Sequence, residues 1–246
     1  NEMLIVSGQL GHRIVQSLGD GSEWGVQIRY VEQEKTLGIA HAVGQLEPHL
    51  DHPFLLFLGD IFFETKALGS MLDAFNRDGV DAVLAVKVEE DREAMRRNFS
   101  VELGEDGFVS HVVEKPRHPR TNLKGCGLYL FDTSIFDAVR ATPRTALRDE
   151  YELTTTIELF VQGGHGIVPA EVIEADLNLS APPDLLDLNL HVMRQRGLDN
   201  HIAEGAKVES RMKFFVPGFT LRGQVEIGGI GSGEFNIFYE FTTPID

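Results

Sequence analysis

Asp60 closes a nearly unbroken apolar run, Pro53 to Leu58, and follows Gly59 directly. A carboxylate at the mouth of a buried strand is a hard oxygen donor, suited to a cation such as Mg2+. A second pattern lies upstream. Tyr30-Val31-Glu32-Gln33 reads as the end of a strand, and Leu37-Gly38-Ile39-Ala40-His41-Ala42-Val43 as a glycine opening a helix. The Gln33 amide offers a donor and an acceptor to a flat heterocycle, and Gly38 allows close backbone approach. The helix start supplies free N–H groups. Both patterns also have an ordinary structural reading, a loop-starting Asp and a strand-loop-helix punctuated by Gly. Cys126 sits in an apolar stretch with no nearby histidine and reads as a packed, inert thiol. The nine histidines show no metal-ligand spacing, and His41 reads as a helix residue.

These residues need a scaffold of alternating strands and helices. Met3 to Ser7 reads as a strand and Leu10 to Leu18 as a helix, followed by a turn-rich loop from Gly19 to Gly25. Val26, Ile28 and Tyr30 alternate with polar residues in a strand running to Gln33, and Gly38 to Leu50 is helical. Pro53 to Leu58 has the unbroken apolarity of a central strand covered on both faces. Lys66 to Arg77 is an amphipathic helix, Asp81 to Val88 a strand, and Ser100 to Val113 a hairpin turning at Glu105-Asp106-Gly107. Gly127 to Phe131 is a short strand, Glu152 to Gln162 a helix, and Gly166 to Leu179 extended. Ser180, Pro182, Pro183 and Asp184 mark the start of a helix that runs to about Arg196 and stops at Gly197. Repeated units of this kind predict an α/β domain over residues 1–197, an open and mostly parallel sheet with helices on both faces. Ligands of such sheets bind beyond the carboxyl ends of the strands, where Asp60 should lie.

Residues 198–246 differ in character. The pattern recurs about every six positions, at Ile202, Val208, Phe214 and Thr220, and Ile202 to Lys207 reads as one turn of a hexapeptide-repeat β-helix. An irregular β tail is the alternative.

The ordered motifs Gly19-Asp20-Gly21-Ser22, Tyr30-Val31-Glu32-Gln33, Leu37-Gly38-Ile39-Ala40-His41-Ala42, Leu58-Gly59-Asp60, Glu114-Lys115-Pro116, Gly127-Leu128-Tyr129-Leu130-Phe131-Asp132 and Pro183-Asp184-Leu185-Leu186 closely resemble the sugar-1-phosphate nucleotidylyltransferases. The likeness covers roughly residues 1 to 196. It implies a Rossmann-like fold and transfer of a nucleoside monophosphate from a nucleoside triphosphate to a sugar 1-phosphate. By resemblance, Gln33 and Gly38 contact the base, and Asp60 holds Mg2+ against the phosphates. Glu114 accepts from sugar hydroxyls, Lys115 meets the sugar phosphate, and Gly127 joins the sugar-binding set. The family's second metal ligand falls on Asn178, with Asp176 two residues earlier as the other choice. Catalysis is thereby expected of Asp60 and Lys115. Several residues depart from the pattern. The family's opening strand and Gly-rich phosphate loop are not in the sequence, which begins about where the second strand is expected. Ile61 stands where many relatives have Asn, and Asn98-Phe99 replaces a Tyr-Gly pair. A nucleotide-sugar-binding homologue without catalysis is the alternative reading.

Composition trims the field of partners. The net charge is −16, from 22 Lys and Arg against 38 Asp and Glu, which opposes a nucleic-acid backbone. No run approaches the roughly 18 apolar residues of a membrane span. One cysteine excludes an internal disulfide and fits a reducing cytoplasm. The first residues carry no basic n-region, so no signal peptide is expected. The expected assembly is a homo-oligomer.

Overall fold

A computed structural model describes residues 2–145, 149–196, 207–210, 219–227 and 231–239. Its elements, in order, are β1 (Glu2–Ser7), α1 (Gly11–Leu18), β2 (Gln27–Glu32), α2 (Ile39–Gly44), β3 (Phe54–Phe57), β4 (Ile61–Thr65), α3 (Gly69–Phe75), β5 (Ala82–Val88), α4 (Arg92–Arg97), β6 (Phe99–Leu103), β7 (Val109–Glu114), β8 (Leu123–Phe131), α5 (Ile135–Ala141), α6 (Leu153–Gln162), β9 (Ile167–Ala170), β10 (Ile173–Asn178), α7 (Pro182–Gln195), β11 (Lys207–Ser210), β12 (Phe219–Ile227) and β13 (Gly231–Tyr239). Contacts divide the chain into two units, Asn1–Leu185 and Leu186–Asp246. That division falls inside α7, a helix with no buried residue, rather than at the expected 197.

The first unit is built on a six-stranded sheet ordered β7-β6-β8-β5-β9, with β3 also paired to β8. Side chains alternate along β5 between two cores. Ala82, Leu84 and Val86 join a cluster with Ile135 and Phe136 of α5 and Ile157 and Phe160 of α6. Val83 and Ala85 face the other way, toward Met71 of α3. Period-two alternation of an apolar run therefore accounts for helices on both faces. The open α/β architecture matches expectation, but the sheet is mixed rather than mostly parallel. β5 and β9 pair in parallel, as do β1 and β2 in a separate two-stranded sheet. β8 runs antiparallel to β3, β5 and β6, and β6 is joined to β7 by a tight hairpin. The β1–β2 pair is bridged by α1 and the β6–β7 pair by a short turn, while the other pairings join strands distant in sequence.

Two further expectations change. β3 reads as a central strand from its apolarity, yet among the described residues it ladders with β8 alone, and Leu55 and Phe57 are 45% and 46% exposed. Immediately after Gly59-Asp60 the chain re-enters strand as β4, which pairs antiparallel with β10. This ribbon is separate from the main sheet.

In the second unit, β11, β12 and β13 pair antiparallel. That differs from the parallel stacking of a hexapeptide-repeat β-helix; most of the Ile202–Lys207 turn lies outside the described residues.

Candidate active site

Four stretches far apart in sequence converge on one cleft of about 240 Å³. The β4–β10 ribbon brings two oxygen donors to its mouth. Asp60 stands just before β4, and Asn178, the last residue of β10, pairs with Ile61. Leu179 N–H donates to the Asp60 carbonyl at 2.7 Å, which ties the two ends together. Asp60, Asn178 and Asp176 all line the cleft.

The hairpin supplies further lining. β7 ends at Glu114, whose register partner is Phe99, and Lys115 N–H donates to the Asn98 carbonyl at 2.9 Å. Lys115 has φ of +46°, a left-handed backbone that costs a non-glycine residue about 1–2 kcal/mol. Such strain persists where the surroundings over-determine it and concentrates at functional positions. The Lys115 ammonium lies 3.9 Å from the Glu114 carboxylate. Arg97, at the end of α4, lines the same wall.

The floor is β8, buried along its whole length. Its register against β5 shifts between Leu84 and Val86, so Cys126, Gly127 and Leu128 bulge opposite Ala85. Gly127 takes φ of +70°, and a Cβ there would stand 2.7 Å from Ile61 Cδ1. A bulge with a left-handed glycine bends the strand and opens space beside it. At Gly125 a Cβ would stand 1.8 Å from Phe99 Cζ, so the missing side chain is what lets the Phe99 ring lie on the strand. Phe99 then stacks on Tyr129, ring centroids 6.4 Å apart, and forms an apolar wall of the cleft. Burial pushes the Tyr129 phenol far above its ordinary pKa, and pushes the Cys126 thiol up to about 12. Cys126 is thus the inert, packed thiol expected.

Carboxylates outnumber cations in the lining: Asp60, Glu114, Glu150, Glu152 and Asp176 against Arg97 and Lys115. Phosphates enter such a cleft only with a counter-cation. Among the described residues no group of three His, Cys, Asp or Glu side chains is disposed to hold a metal. One carboxylate and one amide oxygen, Asp60 and Asn178, suit a magnesium ion that takes its remaining ligands from phosphate and water. Asp176 differs from them. Its carboxylate is held by Lys124 at 2.6 Å and Lys87 at 2.9 Å, and its side chain is 3% exposed. Burial opposes the Lys87 charge, but pairing with Asp176 and Glu89 outweighs it and raises the Lys87 pKa.

Gln33 and Gly38 lie near one another but do not line the cleft; Ile39, next to Gly38, does. Gln33 is buried, with Nε2 2.8 Å from His41 Nδ1 and 3.4 Å from the Gly38 carbonyl. Gly38 has φ of +106°, and its Cβ position lies 2.5 Å from the Tyr151 carbonyl oxygen. Close approach of the Tyr151 backbone is therefore one reason for the glycine. Tyr151 exchanges backbone bonds with Leu37 and Ala40, and its ring stacks near His41. Sequence reasoning missed Arg97 and Glu150, which line the cleft, and Lys87 and Lys124, which hold the cleft-lining Asp176. A detectable signal existed for the lysines, each of which interrupts an otherwise apolar strand, at Val86-Lys87-Val88 and Leu123-Lys124-Gly125.

No helix among the described residues is long and apolar enough to cross a membrane. The nucleotidyl transferase family model matches residues 1–172. The low-salt glycan biosynthesis nucleotidyltransferase Agl11 of Haloferax volcanii is 29% identical over 86% of this chain and 59% of its own length. The UTP–glucose-1-phosphate uridylyltransferase AglF of the same organism is 32% identical over 74% of each chain. A glucose-1-phosphate thymidylyltransferase of Streptomyces antibioticus is 30% identical, over 83% of this chain and 60% of that protein. The chain therefore spans about three-fifths of the length of two of these relatives. Among solved structures, a putative glucose-1-phosphate thymidylyltransferase from Bacillus anthracis superposes with a TM-score of 0.66 at 22% identity, covering 81% of this chain and 77% of that one. A UDP-glucose pyrophosphorylase complexed with UDP-glucose gives the same TM-score at 18% identity, covering 80% and 82%. These two likenesses concern the fold, a Rossmann-like α/β architecture. With the family model spanning most of the chain and AglF matching across three-quarters of it, the chain belongs to the nucleotidyl transferase family.

Proposed function

We propose that the chain carries the transfer site of a sugar-1-phosphate nucleotidylyltransferase, which joins a nucleoside triphosphate to a sugar 1-phosphate and releases pyrophosphate. One observation carries this reading: Asp60, Asn178, Glu114, Lys115 and Gly127, from four separate stretches, line one cleft. The relatives of similar sequence include enzymes named for glucose-1-phosphate and UTP.

The attacking oxygen of a sugar phosphate is anionic at neutral pH, so no general base is needed. Rate enhancement comes from positioning and charge neutralisation at the α-phosphate. The Lys115 ammonium binds and orients the sugar phosphate, and the Glu114 carboxylate accepts from sugar hydroxyls. Phe99 and Tyr129 present an apolar wall to the sugar ring. Gln33 and Gly38 address the base from beyond the cleft. Asp60 and Asn178 would hold Mg2+, which when bound neutralises phosphate charge.

The test is a pyrophosphate-release screen across four nucleoside triphosphates and several sugar 1-phosphates, with and without chelator. The proposal expects chelator-sensitive release with at least one pair. Nucleotide-sugar binding without pyrophosphate release at millimolar Mg2+ would establish a binding homologue instead.

A further inference from the structure

Four ionisable side chains, one of them the cleft-lining Asp176, form a cluster that the transfer chemistry does not use. Asp176 on β10 accepts from Lys124 through one carboxylate oxygen at 2.6 Å, and from Lys87 through the other at 2.9 Å. Glu89, just beyond β5, lies 3.7 Å from Lys87 and 3.9 Å from Lys124. The Asp176 and Lys124 side chains are 3% and 5% exposed. Removing such ions from water costs several kcal/mol each, and their mutual attraction does little more than offset it. Apolar side chains of equal volume often serve stability as well. Cohesion alone is therefore a poor reason for two lysines inside a β-sheet.

The strands that the cluster joins indicate another role. β10 ladders with β4 and with no strand of the six-stranded sheet. That ribbon carries both proposed cation donors, Asp60 at the start of β4 and Asn178 at the end of β10. Glu114, Lys115 and Gly127 belong to the hairpin and to β8, on the other sheet. Lys87 from β5 and Lys124 from β8 reach across to grip the ribbon two residues before Asn178. Their grip is bidentate, one lysine on each carboxylate oxygen, so it restricts both the depth and the rotation of β10.

We propose that Lys124 and Lys87 are positioning residues whose clamp on Asp176 fixes the β4–β10 ribbon, and so holds Asp60 and Asn178 in the cleft that Lys115 also lines. The proposal rests on Asp60 and Asn178 being the cation donors. It has a sign that rival accounts lack. Positive charge near a cation site weakens binding, so deleting a lysine tightens it by charge alone. Deletion also tightens binding if the lysines merely occupy Asp176 and deny it as a ligand. A positioning role predicts weaker binding despite the lost positive charge.

The experiment titrates the full chain with Mn2+ alone, following free Mn2+ by electron paramagnetic resonance, alongside circular dichroism of each variant. Wild type is expected to bind and Asp60→Asn to lose binding, an arm that tests the donor assignment by itself. Lys124→Met is expected to weaken Mn2+ affinity about tenfold, the scale of losses when groups supporting a metal ligand are removed. Lys124→Arg, which keeps the charge and reach, is expected to return affinity to within about threefold of wild type. Lys87, with a 24% exposed side chain, is the safer position for folding. Lys87→Met therefore decides the matter by the same sign if Lys124→Met does not fold. Unchanged or tighter Mn2+ binding in a folded lysine variant overturns the clamp while leaving the donor assignment intact. Wild-type binding that is absent, or that survives Asp60→Asn, overturns both.

Discussion

Gly125→Ala should destabilise the protein through one neighbour, Phe99, and a second substitution should reveal it. Gly125 has no left-handed φ, so alanine meets no backbone penalty there. The added methyl would instead stand 1.8, 2.0 and 2.5 Å from three atoms of the Phe99 ring. Those distances lie far inside van der Waals contact, and the ring, 7% exposed, has to leave its seat. Overpacking costs about 1–3 kcal/mol where a core adjusts, and full loss of a buried phenylalanine about 3–5 kcal/mol. Gly125→Ala should fall between, at about 3 kcal/mol, or roughly 10 °C in Tm for a domain of this size. Phe99→Ala alone should cost about 3–5 kcal/mol. In the double variant the methyl occupies space the ring vacated, so its cost should stay close to that of Phe99→Ala. Urea unfolding of wild type, both single variants and the double variant gives the coupling, expected at about 2–3 kcal/mol of rescue. Additive costs within about 0.5 kcal/mol would refute the claim that Gly125 exists to seat Phe99.

Cys126 should resist thiol reagents in the native state. With its pKa pushed up to about 12 by burial, roughly one thiol in ten thousand is ionised at pH 8; rapid stoichiometric labelling without denaturant would contradict the packed site. Glu158 offers a pH test, because burial raises its pKa but bonds from Val112 N–H, His111 and Gln162 outweigh this and lower it overall. A folded pKa below the unfolded one stabilises above the unfolded value of 4.5 and ceases to do so as pH falls through the folded value. Melts of wild type and Glu158→Gln should differ by about 1 kcal/mol at pH 7 and converge as pH falls below 4.5. A gap that stays constant to pH 3 would contradict this.

Local patterns in the chain foretell much of this architecture. The run Ala82 to Val88 becomes β5, and Leu153 to Gln162 becomes α6, because period and apolarity there agree with the tertiary setting. The Glu105-Asp106-Gly107 turn likewise makes the hairpin legible. Asp60 and Glu114-Lys115 stand out as polar punctuation after strands, and both line the cleft. Non-local pairing explains what was hidden. Ile61 to Thr65 becomes a strand only because residues 173–178 arrive beside it, a ladder invisible to any local window. Lys87 finds Asp176 across 89 positions, so neither residue announces the other. β3 misled for a related reason, since apolarity shows that a strand is partly buried but not how many neighbours flank it.

Replacement of the cleft's strand-end carboxylate bears most directly on the central claim. Pyrophosphate release by wild type and Asp60→Asn should be compared at saturating Mg2+, with melting curves alongside. The account predicts loss of most turnover in Asp60→Asn, of order a hundredfold or more, with the fold intact. Turnover within about threefold of wild type would contradict the assignment of Asp60 and the site built around it.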